Sequence, residues 1–274
     1  MYMGKSFFRK KIESLLGTVY FFVRYLICSS HRKGHGVHSP FVFDFLHNVL
    51  FDKTAYPEYN SFNSVISSLK VSEEKISVRD IGGISTRFSG NYRKVNDLLK
   101  TSSIPSKYGR LLFRIVRYYK PASIVEFGTS IGLSAIYLAT GNTYSKLLTV
   151  EGNRALCEFA SGLFNANNIK NIDLVRGDFN QFYASLPKEY AKPHLVFIDG
   201  NHQYDPTMQY FRYFLGQMED GIIIIDDIYW SVEMREAWNE IVKQNKNYVT
   251  IDLFRMGIIL LRDSITPGHY VVRF

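Results

Sequence analysis

Residues 123–139 read S-I-V-E-F-G-T-S-I-G-L-S-A-I-Y-L-A, and this run constrains the fold more than any other. Ile124, Val125 and Phe127 are β-formers that stop at Gly128. Ile131, Leu133, Ala135, Ile136 and Leu138 continue as an apolar helix of the kind that packs on a sheet. The chain therefore passes from buried strand to helix through a glycine-bearing turn at 128–132, the device with which open α/β sheets seat nucleotide-shaped ligands. A dinucleotide site would want G-x-G-x-x-G there. This chain instead places Glu126, Gly128, Gly132 and Ser134 in the pattern E-x-G-x-x-x-G-x-S. A carboxylate ahead of the first glycine suits a cationic ligand better than a pyrophosphate.

The strands that follow each end in a polar turn. Leu147 to Val150 runs into Glu151-Gly152-Asn153, and an acid at such a strand end can accept both hydroxyls of a ribose. Glu151 follows Glu126 by 151 − 126 = 25 residues, close to the spacing of about 20 expected between a glycine turn and its ribose-binding acid. Ile172 to Val175 ends in Arg176-Gly177-Asp178, where Asp178 can also cap a helix over 179–186. Leu195 to Ile198 ends in Asp199-Gly200-Asn201-His202-Gln203-Tyr204, and Ile222 to Ile225 in Asp226-Asp227-Ile228-Tyr229-Trp230. Acids one residue past successive parallel strands point into a common crevice. Their repulsion makes the arrangement costly without a cation. Asp199, Asp226 and Asp227 are hard oxygen donors that suit Mg²⁺ better than zinc, with a metal-free arrangement as the alternative.

The E-x-G-x-x-x-G-x-S turn resembles motif I of class I S-adenosylmethionine (AdoMet) methyltransferases, most closely the catechol and caffeoyl-CoA O-methyltransferase type. The resemblance spans residues 105–262 and implies a doubly wound, seven-stranded Rossmann-like sheet of order 3-2-1-4-5-7-6. It implies that AdoMet is held by Glu126, Gly128, Thr129, Gly132, Ser134, Glu151, Gly177, Asp178 and Asp199. Metal-dependent members carry D-x-D-K-x-x-Y and D-N-x-x-W, where this chain has D-x-N-H-x-Y and D-D-x-x-W. Asn201, His202 and Asp227 are the departures, and they put the metal in doubt. His202 stands where the family's catalytic lysine would fall and, with Asp199, is the candidate catalytic pair. A neutral imidazole near pH 7 can take the proton of an acceptor hydroxyl. The resemblance thus implies O-methylation of a small-molecule acceptor, with metal assistance as an option. The alternatives are metal-independent N-methylation and a nucleic-acid-associated RNA methyltransferase or binding protein.

The remaining sequence divides into a basic, mainly helical cap over 1–104 and a cofactor-binding domain over 105–274. Residues 1–120 hold 20 Lys/Arg and 8 Asp/Glu, a net +12; subtraction from 33 and 25 leaves 13 and 17, a net −4, for 121–274. Such a charge could serve phosphate binding, but the basic residues are scattered through amphipathic helices and no N-P-P-Y base-flipping signature is present, which disfavours nucleic acid. Phe8, Ile12, Leu15, Val19, Phe22 and Leu26 recur as one helical stripe. The stripe suits packing on its own domain or a homodimer mate, with peripheral contact of residues 1–30 on an anionic membrane as the alternative. The histidines of His31-Arg32-Lys33-Gly34-His35-Gly36-Val37-His38-Ser39-Pro40-Phe41 read as a loop rather than a metal site, and the G-H-G-V-H-S-P-F string resembles the N-terminal signature of a group of bacterial methyltransferase-like proteins. Ser39 and Pro40 read as the start of a helix over 42–51. Cys28 and Cys157 follow no spacing pattern, which points to a reducing, cytoplasmic setting. Strands over 248–254 and 258–261 joined through Arg255-Met256-Gly257 close the sheet, and residues 264–274 carry no readable role.

Overall fold

The computed structural model describes residues 19–29, 39–78, 92–263 and 265–274. The stripe positions Phe8, Ile12 and Leu15 and the loop histidines His31, His35 and His38 lie outside the described residues. The chain forms two compact units: residues 47–201, and the described residues up to Leu46 together with 202–274.

The first unit carries a short antiparallel pair, β1 (Lys75–Ser77) and β2 (Tyr92–Lys94), and four parallel strands. These are β3 (Ser123–Phe127), β4 (Lys146–Glu151), β5 (Ile172–Arg176) and β6 (Leu195–Ile198). They lie in the order β6-β3-β4-β5. Counted from β3 this is 4-1-2-3, so the strand order reverses between β3 and β6. Ligands of open α/β sheets bind outside such a reversal, at the carboxyl ends of the strands. All of β3 is buried, as are seven apolar or small side chains of the helix Leu133–Gly141 that follows it. An element apolar on every face belongs between layers, and this one is covered by the amphipathic helix Ser106–Tyr119, with Gly109 against Tyr137 and Phe113 and Val116 against Gly141.

The second unit carries β7 (Gly221–Ile225), β8 (Tyr248–Asp252), β9 (Gly257–Leu261) and β10 (Gly268–Val271), in the order β10-β8-β9-β7. β9 runs antiparallel to both β7 and β8. In the same count this is the 5-7-6 portion, flanked by one strand more. That extra strand, β10, pairs parallel with β8 and falls in the stretch that carried no readable role. Tyr25 explains part of its placement. Its buried hydroxyl donates to Val272 O at 2.5 Å and accepts from Phe274 N at 3.1 Å. Residues 19–28 are indeed helical, but the inward position is Tyr25, whereas Val19 and Phe22 of the expected stripe stay exposed. A ring with a polar tip outcompetes them because the chain end offers backbone partners for its hydroxyl.

Two boundaries differ from expectation. The helix capped by Ser39, whose side chain accepts from Val42 N, is α-helical only over Pro40–Phe45 and continues as a π-helical turn, Leu46–Leu50. The free carbonyls of Val49 and Leu50 are taken by the buried Arg114 guanidinium, at 2.7 and 3.2 Å. The helix beyond Asp178 is short, Phe179–Phe182, then 3₁₀ over Tyr183–Ser185. Each unit is α/β, and the parallel strands of the first follow the doubly wound, Rossmann-like order.

Candidate active site

The first unit gathers Glu126, Gly128, Thr129, Gly132, Ser134, Glu151, Gly177, Asp178 and Asp199 at the carboxyl ends of β3, β4, β5 and β6 or in the turns directly beyond them. Parallel register does the positioning. Glu126 lies level with Thr149, and Glu151 level with Arg176. The turn after β3 holds Gly128 at φ +106° and Gly132 at φ +87°, a region costly for side-chain-bearing residues. At Gly128 the demand is also steric, because a Cβ there would stand 2.1 Å from the carbonyl oxygen of Asp199. Two strand ends meet at the reversal point through bare backbone. Gly177 is different: a Cβ would find nothing closer than 3.5 Å, so no steric demand fixes a glycine there.

Glu126 is fully buried. The Thr149 hydroxyl donates to its Oε2 at 2.6 Å, and the Thr129 and Thr149 hydroxyls are 2.6 Å apart. Since the one proton of Thr149 goes to the carboxylate, Thr129 is the donor of the second contact, and the relay Thr129→Thr149→Glu126 is set for an ionised acid. Oε1 of Glu126 is buried with no hydrogen-bond partner. Burial pushes the carboxyl up to about 7; the Thr149 and Ser134 hydroxyls act the other way, and the charge of Glu151 adds to the rise. An orphaned buried carboxylate oxygen is expensive without a partner, and a cationic group is the partner it lacks.

Glu151 is anchored by backbone. Oε1 accepts from Asn153 N and Oε2 from Ser130 N, each at 2.9 Å. Burial raises its pKa while these N–H groups, with that of Gly152, lower it. Each oxygen keeps a further lone pair, so the fixed carboxylate can accept two neighbouring hydroxyls. Asp178 is exposed at the start of its short helix, and Asp199 is half-buried with its N–H donating to Phe127 O at 2.9 Å.

The second unit holds His202, Asp226 and Asp227. Asp226 is fully buried and gripped by Arg255: Nε donates to Oδ1 at 3.0 Å and Oδ2 at 3.1 Å, and Nη2 to Oδ2 at 2.7 Å. Nη2 also stands 3.4 Å from Asp227 Oδ1. Burial pushes Asp226 up to about 6, the Asp227 charge adds to this, and the arginine opposes it. His202 is lowered by burial, with Asp227 raising and Arg255 lowering it, so the neutral imidazole dominates near pH 7. Among the described residues no three His, Cys, Asp or Glu side chains gather as a metal site. Sequence reading missed Arg255, treating it as a hairpin residue only. Its signal was register: β7 and β9 are antiparallel with Ile225 opposite Gly257, which sets residue 255 beside 226–227.

Residues 125–228 match the family described as methyltransferase domain. Among solved structures, the O-methyltransferase TomG from Streptomyces achromogenes, in complex with SAM, is 18% identical over 58% of this chain and 82% of its own, with a TM-score of 0.52. An O-methyltransferase from Bacillus cereus in complex with SAH is 14% identical over 80% and 96%, TM-score 0.53. A caffeoyl-CoA O-methyltransferase assignment from Staphylococcus aureus is 16% identical over 60% and 88%, TM-score 0.52. No curated protein sequence matches this chain. Over residues 125–228 fold and domain define the class, that of methyltransferase domains. Within that class the fold it shares is the one seen in O-methyltransferases.

Proposed function

We propose that this chain transfers a methyl group from AdoMet to an oxygen of a small-molecule acceptor. The observation that carries the reading is the Glu126–Glu151 pair. One buried carboxylate keeps an oxygen without a partner, and its neighbour across one strand keeps lone pairs for two hydroxyls. AdoMet presents a positive charge and a ribose diol, so the two acids fit its two chemically distinct parts. When bound, AdoMet supplies an electrophilic methyl on a sulfonium.

The residues divide the remaining work. Gly128 and Gly132 let the turn backbone approach the ligand, and the N-terminus of Leu133–Gly141 opens beside it. Ser134 and the Thr129–Thr149 relay hold Glu126. Gly177, Asp178 and Asp199 line the flanking strand ends. His202, kept neutral by burial, accepts the acceptor's hydroxyl proton. Placement of the reacting oxygen in line supplies most of the remaining rate. The acid pair of the second unit does not fit a hard divalent ion, because Arg255 already occupies both oxygens of Asp226, and no step is assigned to a metal.

Calorimetry tests the binding half directly. AdoMet and S-adenosylhomocysteine should each give a one-to-one isotherm with wild type and a strongly weakened one with Glu151→Gln. Folded wild-type protein with no heat for either ligand overturns the reading. A screen of hydroxylated aromatic acceptors with methyl-labelled AdoMet then tests the transfer half.

A further inference from the structure

We propose that Arg255 is the resident cation of the Asp226–Asp227 pair, so that this chain performs its transfer without a divalent metal ion. The inference rests on the methyltransferase reading above and deepens it.

The geometry is that of an occupied site. A carboxylate offers about four lone-pair positions, and the Arg255 fork takes three hydrogen bonds at Asp226 across both oxygens. The same guanidinium reaches Asp227, so one planar cation bridges two adjacent acids. A magnesium ion would need those oxygens at about 2.0–2.1 Å with near-octahedral freedom, which the fork denies. Nor is Arg255 a loose surface side chain. Its carbonyl accepts from Ile228 N at 3.0 Å and its N–H donates to Leu253 O at 2.9 Å, which ties the turn to the strand end that carries both acids. Phe254, just before it, sits at φ +68°, and Asp227 at φ +55°. Both left-handed residues are held in place by this local net. Arginine cannot shed its proton in a protein, so the charge is permanent.

The chemical consequence falls on His202. A divalent ion would lower an acceptor hydroxyl's pKa, whereas a guanidinium engaged with two carboxylates does not coordinate the acceptor oxygen. The proton must then leave to a side-chain base, and His202 feels both Asp227 and Arg255.

Mn²⁺ is the probe, followed by electron paramagnetic resonance on the full-length protein with no AdoMet or acceptor present. The result therefore does not depend on the methyltransferase reading, and AdoMet calorimetry on the same material reports that reading separately. Wild type should leave Mn²⁺ free, and Arg255→Gln should gain at least about tenfold in Mn²⁺ affinity, a gain removed by adding Asp226→Asn. Stoichiometric Mn²⁺ binding by wild type that Asp226→Asn abolishes overturns the proposal, as does a folded Arg255→Gln with no gain. If Arg255→Gln does not fold, the double variant Arg255→Gln/Asp226→Asn decides. Removing both charges should recover the fold if the pair's cation is Arg255, and a double variant that stays unfolded overturns it.

Discussion

Two buried carboxylates at strand ends, Glu126 and Asp226, share burial and differ in company. Around Glu126 the neighbours are neutral hydroxyls and one oxygen has no partner; around Asp226 a guanidinium fills both oxygens. The same physics therefore gives opposite meanings. A buried charge with its cation built in is structural electrostatics, complete in the protein alone. A buried charge with no cation is a cost that only a ligand removes, which is the usual signature of a binding site. The widely used argument that clustered acids imply a metal needs this second step, a census of the cations the fold itself supplies.

The sharpest way to break the contrast is to remove the built-in cation. Arg255→Gln leaves Asp226 buried and unpaired and should destabilise the protein by about 3–5 kcal/mol near neutral pH. The loss should shrink as pH falls towards about 6 and level off below it, because without the arginine that lowers its pKa Asp226 takes up its proton above that value and no longer needs a partner. Urea unfolding at two pH values measures it, and a loss that is flat with pH would mean that Asp226 is not the group left stranded.

If no metal activates the acceptor, His202 carries the proton transfer, and His202→Ala should lower turnover by about 10²–10⁴-fold while AdoMet affinity stays within about twofold. Unchanged turnover would reduce the whole second region to scaffolding. Glu151→Gln should act on affinity instead. Two charge-assisted hydrogen bonds to hydroxyls weaken, costing about 2–3 kcal/mol in AdoMet binding. Equal losses for AdoMet and S-adenosylhomocysteine are expected, since both carry the ribose, and an unaffected isotherm would remove Glu151 from the site.

Much of this was legible in the residues because parallel strands announce themselves. β3, β4, β6 and β7 are short apolar runs ending in Gly or an acid, and period and punctuation alone place Glu126, Glu151, Asp199, Asp226 and Asp227 at strand ends. What the residues could not show was which acids already have partners. Arg255 and Thr149 meet their acids only through register, and register depends on hairpin geometry and sheet order rather than on local composition. Strand β10 was invisible for a related reason. Its exposed and half-buried residues carry no strong alternation, and its place beside β8 owes something to Tyr25, which lies 247 residues away from its partner Val272.

The finest test works on Glu126 and has a sign opposite to that of Arg255→Gln. The folded-state pKa of Glu126, about 7, lies above its reference of 4.5, so the folded protein binds more protons than the unfolded chain between those values. Stability from this group is therefore full below about pH 4.5 and is lost as pH rises through about 7. The gap corresponds to roughly 3 kcal/mol at about pH 8. Glu126→Gln cannot ionise and so escapes this cost, although its amide must find an acceptor among groups arranged as donors. A net gain of about 1–2 kcal/mol in the ligand-free protein at about pH 8 is expected, turning into a loss of about 1–2 kcal/mol near pH 4.5, where only the cost of the unsatisfied amide remains. The same substitution should weaken AdoMet more than S-adenosylhomocysteine, because only AdoMet carries the sulfonium charge. In wild type the preference for AdoMet should rise with pH through about 7 as the acid ionises, and in Glu126→Gln it should be flat. A variant that is less stable at high pH, or whose preference still rises with pH, would show that Glu126 has a partner of its own and that the two regions are alike after all.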